Sequence, residues 1–189
     1  MLARTSPSCR PPGRPRRPAP PPRPRRRRRS RPRPKSLYHR VQKVLPYRPD
    51  QLFDLVGDVD RYPDFVPWIT GMRSWNQRPV GEGVDMLDAE AAVGFSFLKE
   101  RFSTRVRRDS AGRVIQVSLI SGPFKRLENR WRFHEDPAGT RIEFEIDFEF
   151  KSKMLAALLS ANFHNAVDRL IGCFEARARD LYGAPADPA

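Results

Sequence analysis

The chain has 189 residues and a formal net charge of +14, but this charge is not spread evenly along it. Residues 1 to 35 contain 13 Arg, one Lys, 11 Pro and no acidic residue, whereas basic and acidic residues balance in the rest of the chain. The basic net charge therefore does not indicate that the body is a nucleic-acid-binding domain, and specific DNA binding is not expected. No apolar run is long enough for a membrane-spanning helix. The two cysteines predict neither a disulfide framework nor a metal site.

The composition divides the chain into a tail of residues 1–35, one domain of residues 36–182 and a short C-terminal tail of residues 183–189. The first tail has few apolar side chains and its like charges repel, which is typical of a disordered segment. Two other interpretations stay open: an electrostatic anchor for anionic lipid or RNA, or a stretch upstream of the true translation start. Its proline density argues against the amphipathic helix of a mitochondrial transit peptide.

The domain begins with a predicted strand, Leu37–Leu45, and a short helix that starts near Pro49 and stops at Gly57. A second short helix or turn is predicted over residues 60–65. The segment Tyr62–Trp68 then carries three aromatic residues and two prolines. So short a helix cannot bury three large aromatic rings, so another part of the fold must cover them.

Six further strands follow, separated by turns rich in Gly, Pro and Asp. They are predicted over residues 68–78, 84–93, 97–108, 114–121, 124–134 and 140–150. In the last strand apolar residues alternate with acids over nine positions, which predicts one face on a core and one in water. The preceding strand alternates too, and its outward arginines suit pairing with those acids.

From Lys153 the apolar period becomes helical and continues for about 30 residues, with Ser152 as a cap and Gly183 at the end. Gly172 inside this helix is either tolerated or marks close approach to the sheet or a ligand. The order of elements predicts an α+β helix-grip fold. In it, a bent antiparallel sheet of six to seven strands wraps on a long C-terminal helix, with two short helices after the first strand. A bent sheet cannot close on one helix along its whole length, so a cavity with apolar walls is expected.

Several motifs, in this order, are similar to those of a known family: Gln51–Val56, Tyr62–Trp68, Gly122–Trp131 and Asp147–Phe150. The chain resembles the coenzyme Q-binding START-domain family, which includes mitochondrial coenzyme Q-binding proteins and bacterial RatA proteins. The resemblance implies a START-type fold and non-catalytic chaperoning of ubiquinone or a related polyprenyl lipid, in support of respiratory electron transport and ubiquinone biosynthesis. Because bacterial relatives are also described as toxins acting on the large ribosomal subunit, ribosome binding is an alternative.

The sequence contains no Walker loop, dinucleotide fingerprint, HExxH motif or nucleophile elbow, and its three histidines lack metal-ligand spacing. We therefore predict a protein that is not an enzyme and has no catalytic residue, metal or cofactor, with ubiquinone as a bound ligand. A polyketide cyclase-type enzyme is a further alternative, and it would need an acid or base in the cavity, for which Glu100 is the obvious candidate.

The predicted ligand contacts are mostly aromatic: Phe53, Tyr62, Phe65, Trp68, Phe102, Asn129, Trp131 and Phe163. Asn129 shares the apolar face of its strand, where a polar group needs a partner. It either bonds within the protein or, with Tyr62, donates to a quinone carbonyl. Tyr62 and Trp68 suit a cavity mouth or a membrane surface because each joins an apolar ring to a polar tip. The expected location is cytoplasmic, with peripheral contact to the inner membrane, on the matrix side in a mitochondrion.

Overall fold

The computed structural model describes residues 36–95, 98–160 and 163–183. The N-terminal tail and residues 184–189 lie outside this range, so the predictions for both tails stay predictions. Within it, the chain forms one antiparallel sheet of seven strands in the order β1-β7-β6-β5-β4-β3-β2. The strands are β1 Leu37–Leu45, β2 Ile69–Gly81, β3 Val84–Phe95, β4 Leu98–Asp109, β5 Val114–Ser121, β6 Phe124–Asp136 and β7 Gly139–Phe150.

The seven strands were predicted in their order along the chain, and the largest boundary difference is in β2. The stretch 79–83 was predicted as a loop, but β2 continues to Gly81 and leaves only a two-residue turn before β3. Pro79 is tolerated there because β2 is an edge strand, where a missing N–H need not break a ladder on both sides.

The helices are α1 Pro49–Gly57, a 3₁₀ turn Val59–Arg61, α2 Tyr62–Phe65, α3 Lys153–Ser160 and α4 Phe163–Tyr182. The single C-terminal helix of the prediction is thus described as α3 and α4, and residues 161 and 162 lie outside the described residues. The Ser152 hydroxyl caps α3 by accepting from the Leu155 N–H at 3.3 Å. Gly183 ends α4 with φ +86°. Among the described helices, none is long and apolar enough to cross a bilayer.

The main core lies between the inner face of the sheet and the helices. Trp131 on β6 is at its centre, with ring centroids 4.3 Å from Phe144 on β7 and 5.2 Å from Phe174 on α4. Alternation along β6 and β7 places these aromatic rings on one face, as the sequence predicted. Burial of large rings against α4 is therefore what holds the helix to the sheet.

Polar side-chain contacts also join α4 to β1. Lys43 binds Glu175 at 2.6 Å, and the Nδ1 atoms of His39 and His164 lie 2.8 Å apart. His164 is exposed, and the ring of His39 on β1 contacts it, with ring centroids 4.5 Å apart. These contacts keep α4 over the β1 side of the sheet.

The outer face of the sheet carries the predicted cross-strand ion pairs. Arg126 on β6 binds Asp147 on β7 at 2.6 Å, and Lys125 binds Glu149 at 2.7 Å. Glu143 is buried on this outer face, although alternation placed it in water. Its burial alone would raise its pKa, but the hydrogen bond from Gln42 and the nearby arginines outweigh this and hold the pKa below its ordinary value.

Asp88 on β3 supplies a pH-dependent part of the stability. Hydrogen bonds from Arg105 hold the pKa of this buried carboxyl below its ordinary value, against the effect of burial. A lowered pKa means that the stabilisation is present above the unfolded value, about 3.9, and is lost as the pH falls through the folded value. In urea unfolding at pH 7, Asp88→Asn should therefore lower stability by about 1 kcal/mol and flatten the acid dependence.

The matched control for Asp88 is Glu135, whose side chain is 77% exposed and pairs with Arg113. Glu135→Gln should leave both the stability and its pH dependence unchanged, because exposed pairs contribute little. Equal effects of the two substitutions would contradict the assignment of the acid sensitivity to Asp88.

Two glycines differ in whether the backbone at their position requires glycine. Gly139 has φ +128°, and a Cβ there would collide with the Leu45 carbonyl oxygen. A Cβ at Gly172 in α4 would meet nothing within 4 Å, so the predicted alternative of close approach to the sheet is wrong at this position. In urea unfolding, Gly139→Ala should destabilise by at least about 2 kcal/mol. Gly172→Ala should instead stabilise by up to about 1 kcal/mol, and a loss at Gly172 would contradict this account.

Candidate functional site

A cavity of about 290 Å³ lies between the inner face of the sheet, the short helices and α4. Its walls are apolar side chains from β2 to β7, with Val56 and Val59 from the short helices and Leu170 and Phe174 from α4. This volume is near the lower end of the range, about 300–1,000 Å³, of small-molecule sites. The cavity predicted from the bent sheet is therefore present.

The cavity exists because α4 lies over one side of the sheet only. Its contacts with β1, α1 and α2 hold it there, as in the bonds Lys43–Glu175 and Tyr182–Gln51. On the opposite side, β3 turns the small side chain of Ala91 towards the cavity. Because α4 does not cover this side of the sheet and the side chain here is small, the core leaves a space unfilled.

The cavity has a closed end and an open end, which follow from the strand register. At the closed end Trp131 pairs with Ile115 and Phe144, and all three are buried. At the other end the lining residues Trp68 and Phe124 are only half-buried, next to the start of β2 and the start of β6. The mouth therefore lies at the end of the sheet that carries Trp68.

The aromatic segment Tyr62–Trp68 packs on α4. This helix is therefore the part of the fold that covers the aromatic rings, as the sequence led us to expect. The ring of Phe174 lies 5.2 Å from that of Tyr62 and 5.1 Å from that of Phe65. The guanidinium of Arg169 lies 5.6 Å from the Trp68 ring centroid, a cation–π contact beside the mouth. This aromatic contact joins one rim of the cavity to α4.

Five side chains with polar atoms reach the otherwise apolar walls: Tyr62, Trp68, Thr104, Asn129 and Trp131. The Tyr62 hydroxyl donates to the Val56 carbonyl oxygen at 2.6 Å, and burial, with the charge of Asp58, raises the pKa of Tyr62. Its only proton is thus engaged, so donation from Tyr62 to a ligand stays a prediction that requires this bond to break. The hydroxyl oxygen can still accept a hydrogen bond.

Among the polar side chains of the cavity, Asn129 has an oxygen atom without a hydrogen-bond partner. It lies midway along β6, opposite Val117 and Ile146, and its Oδ1 atom is buried with no hydrogen-bond donor among the described residues. An unsatisfied buried acceptor costs about 1–3 kcal/mol. A half-turn of the amide exchanges its oxygen and its NH₂ group, so the same side chain can accept from or donate to a bound molecule.

The comparison with known proteins follows from this geometry. A family model described as "Polyketide cyclase / dehydrase and lipid transport" matches residues 45–175, which is most of the chain. The chain belongs to this family. Its matched region includes all seven strands except most of β1, and the cavity described above lies inside it.

Individual members of the family carry different names. The "Ribosome association toxin RatA" of Rickettsia prowazekii is 34% identical over 142 residues, covering 74% of this chain and 94% of that protein. The "Coenzyme Q-binding protein COQ10 homolog B, mitochondrial" of Xenopus laevis is 31% identical over 153 residues, covering 79% of this chain and 61% of that protein. Sequence similarity therefore reaches two groups whose names indicate different roles.

Solved structures show the same fold. The 18 kDa protein CC1736 of Caulobacter crescentus is 63% identical with a TM-score of 0.67, covering 78% of this chain and 99% of that one. A START superfamily protein of Mycobacterium smegmatis, 20% identical, has a TM-score of 0.63, covering 77% of this chain and 98% of that one. The predicted α+β START-type helix-grip fold is confirmed.

Within this fold, five of the eight predicted contact residues line the cavity, namely Tyr62, Trp68, Phe102, Asn129 and Trp131. The structure brings them together from α2, the start of β2, β4 and β6. Whether they bind a ligand stays a prediction, but their placement fits one.

The other three predicted residues pack behind the cavity walls. Phe53 lies against Phe133, with ring centroids 6.0 Å apart. Phe163 lies 4.9 Å from Phe148 and contacts His39, and Phe65 packs on α4 as described above. Their rings support the walls of the cavity, and none of them is part of its lining.

Sequence reasoning missed Thr104, Leu170 and Phe174 as lining residues. Thr104 is in phase with Phe102 and Val106 on β4, so the alternation that selected Phe102 could have found it. Leu170 and Phe174 were assigned to the apolar face of the last helix, and no sequence signal separates lining from packing on such a face. Glu100, the candidate acid for a cyclase, does not line the cavity.

Proposed function

We propose that this protein binds ubiquinone or a related polyprenyl lipid without catalysing a reaction on it, in support of respiratory electron transport and ubiquinone biosynthesis. The observation that carries the proposal is the apolar cavity with the buried, unpartnered amide oxygen of Asn129. A quinone ring has two carbonyl oxygens, which are acceptors, so the NH₂ group of Asn129 would donate to one of them after a half-turn of the amide. The isoprenoid chain of the ligand matches the apolar walls. The coenzyme Q-binding relative supports this choice of ligand.

The cavity volume decides how much of such a ligand is enclosed. About 290 Å³ holds the quinone ring and its nearest isoprene units, whereas a long polyprenyl chain is larger than this. The remote part of the chain would therefore leave through the mouth beside Trp68. Each Å² of apolar surface buried inside contributes about 25 cal/mol to binding, and the Asn129 hydrogen bond sets the orientation of the ring.

The lining also supports binding over catalysis. Its polar groups belong to three aromatic side chains, a threonine hydroxyl and an amide, and none of these exchanges protons near neutral pH in this setting. A cyclase-type reaction needs a positioned acid or base in the cavity. The fold is shared with such enzymes, but the described lining residues favour a carrier.

Two tryptophans of the lining make binding measurable. Trp68 and Trp131 line the cavity, and Trp75 does not. In a Trp75→Phe background, a ubiquinone with a short isoprenoid chain should quench the remaining fluorescence saturably, at one ligand per protein. Quenching that rises linearly without saturation, as for free tryptophan in solution, would contradict the proposal.

Asn129→Leu should separate a ligand-binding role from a structural one. Because it removes an unsatisfied buried acceptor, it should raise the stability of the ligand-free protein by about 1 kcal/mol. The same change should weaken ubiquinone binding about tenfold, because the hydrogen bond to the ring is lost. The measurements are urea unfolding without ligand and the fluorescence titration.

The control for Asn129 is Gln42→Leu, which removes an amide that donates to Glu143 at 2.7 Å on the outer face. That variant should lose stability and bind ubiquinone normally. If Asn129→Leu also loses stability and keeps its affinity, the amide has a structural partner and its proposed role is wrong.

A second candidate function is association with the ribosome, and the RatA relative is the observation that favours it. The body from Ser36 onward is formally neutral, so most of the electrostatic attraction to RNA would come from the N-terminal tail. Sucrose-gradient sedimentation of the full chain and of a variant without residues 1–35 tests it. Comigration of both with the large ribosomal subunit would favour this function over the lipid carrier.

A further inference from the structure

We propose that the end of the molecule around the cavity mouth docks on the surface of an anionic lipid bilayer. The inference builds on the proposed lipid ligand, since the part of a long chain that does not fit the cavity needs an apolar surrounding outside it. Its test uses vesicles without ubiquinone, so it can fail while the proposed function stands.

The position of the surface follows from the strand ends. The start of β2 pairs with the end of β3 through Ile69 and Val93, and the start of β6 pairs with the end of β7 through Phe124 and Phe150. All four residues line the cavity at its open end. The chain segments just beyond them, the β5–β6 turn and the start of α3, therefore border the mouth.

Two exposed apolar side chains lie on these bordering segments. Met154 in the first turn of α3 is 69% exposed, and Ile120 near the end of β5 is 45% exposed. The Lys151 N–H donates to the Pro123 carbonyl oxygen at 2.8 Å, which holds the start of α3 beside the β5–β6 turn. Met154 and Ile120 thus lie at the same end of the molecule, and nothing in the described part of the chain covers them.

The β5–β6 ladder also opens at this end. Its last pair is Ser118 with Glu128, whereas β5 continues beside β4 as far as the pair Ser121–Ser103. β5 therefore diverges from β6 before the turn and presents Ile120 on a strand paired on one side only. Where β5 and β6 are no longer paired, the sheet covers the cavity less completely than elsewhere.

Basic side chains surround these apolar residues, namely Lys99, Arg101, Lys125, Lys151 and Lys153, all of them exposed. Glu90 pairs with Arg101 at 3.3 Å, and Glu149 pairs with Lys125 at 2.7 Å. Within the described ranges, Lys99, Lys151 and Lys153 have no acidic side chain within ion-pair distance. Glu100, next to Lys99 and opposite Val93, has no ion pair among the described residues either, so three such lysines stand against one such acid. The mouth therefore carries net positive charge, although the body as a whole is neutral.

Exposed apolar residues flanked by free lysines have the chemistry of a membrane-docking surface. The lysines attract anionic headgroups, at roughly 1 kcal/mol each, while the apolar side chains enter the boundary with the acyl chains. An RNA partner would account for the lysines, but it would not account for Met154 and Ile120 beside an apolar cavity. The combination therefore favours a bilayer.

The experiment compares cosedimentation of the full chain with phosphatidylcholine vesicles and with vesicles that also contain phosphatidylglycerol. The double variant Lys151→Glu/Lys153→Glu changes the docking surface. The control Arg48→Glu/Arg179→Glu makes the same change in net charge at the opposite end, where α1 and the end of α4 are joined by the Tyr182–Gln51 bond. All variants keep the N-terminal tail, so its attraction to the vesicles is equal in each.

We expect Lys151→Glu/Lys153→Glu to bind the anionic vesicles at least about tenfold more weakly than the unchanged protein, and the control to stay within about twofold. Met154→Glu should also bind about tenfold more weakly, because it places a charge in the headgroup region. Equal losses in both double variants, or no loss in either, would overturn the inference. A Met154→Glu variant that binds normally would overturn it too, since charge alone would then account for the binding. Ubiquinone quenching that persists in every variant would leave the proposed function standing.

Discussion

Ala91→Phe should abolish ubiquinone binding and leave the protein folded. Ala91 is only 4% exposed, yet its side chain faces the cavity from β3. A phenyl ring at this position enters space that the core leaves empty, so it displaces the ligand without displacing protein atoms. We expect no saturable quenching in the fluorescence titration and an unfolding free energy equal to or above that of the unchanged protein.

Ala89→Phe is the matched control, because Ala89 lies on the same strand and the same face and is fully buried, but it does not line the cavity. There the added ring has no free space and should destabilise the protein by about 1–3 kcal/mol. If both substitutions destabilise equally, the cavity beside Ala91 does not exist in solution. If Ala91→Phe still binds ubiquinone saturably, the ligand occupies another place.

Trp131→Ala should cause the largest loss of stability among single substitutions in the sheet. The indole is 4% exposed and packs between Phe144 and Phe174, so it joins β6, β7 and α4. Truncation of a buried tryptophan removes its transfer free energy and enlarges the cavity, at a cost of about 3–5 kcal/mol. Urea unfolding followed by far-ultraviolet circular dichroism measures it.

Trp75→Ala is the corresponding control, since Trp75 is half-buried on the edge strand β2 with Arg73 over its ring. It should lower the stability by at most about 1 kcal/mol. A comparable loss for both tryptophans would mean that Trp131 does not link the helix to the sheet as described.

The sheet could be predicted because its strands carry a period of two. β7 alternates Ile142, Phe144 and Phe148 with acids, and only one register puts the rings on the core. Burial of Glu143 could not be predicted in this way, because it depends on arginines from β1, β6 and β7 that meet only in the folded sheet. Alternation assigns a face to a residue, but it does not say what covers that face.

The candidate site could be predicted in composition but only partly in detail. Trp131 and Phe163 both lie on apolar faces, yet one lines the cavity and the other supports its wall. The difference depends on where α4 leaves the sheet, which is set by bonds such as Lys43–Glu175 between distant parts of the chain. Likewise, the sequence indicates that Tyr62 is a possible donor, but only the fold shows that its hydroxyl already donates a hydrogen bond to the Val56 carbonyl oxygen.

The most direct measurement is mass spectrometry of organic extracts of the purified protein, produced in a host that makes ubiquinone, with Ala91→Phe prepared in parallel. The account predicts about one ubiquinone or related polyprenyl lipid per unchanged protein molecule and none in Ala91→Phe. An unchanged protein that carries no isoprenoid lipid, or an Ala91→Phe variant that carries as much, would contradict the central claim that this cavity holds the lipid.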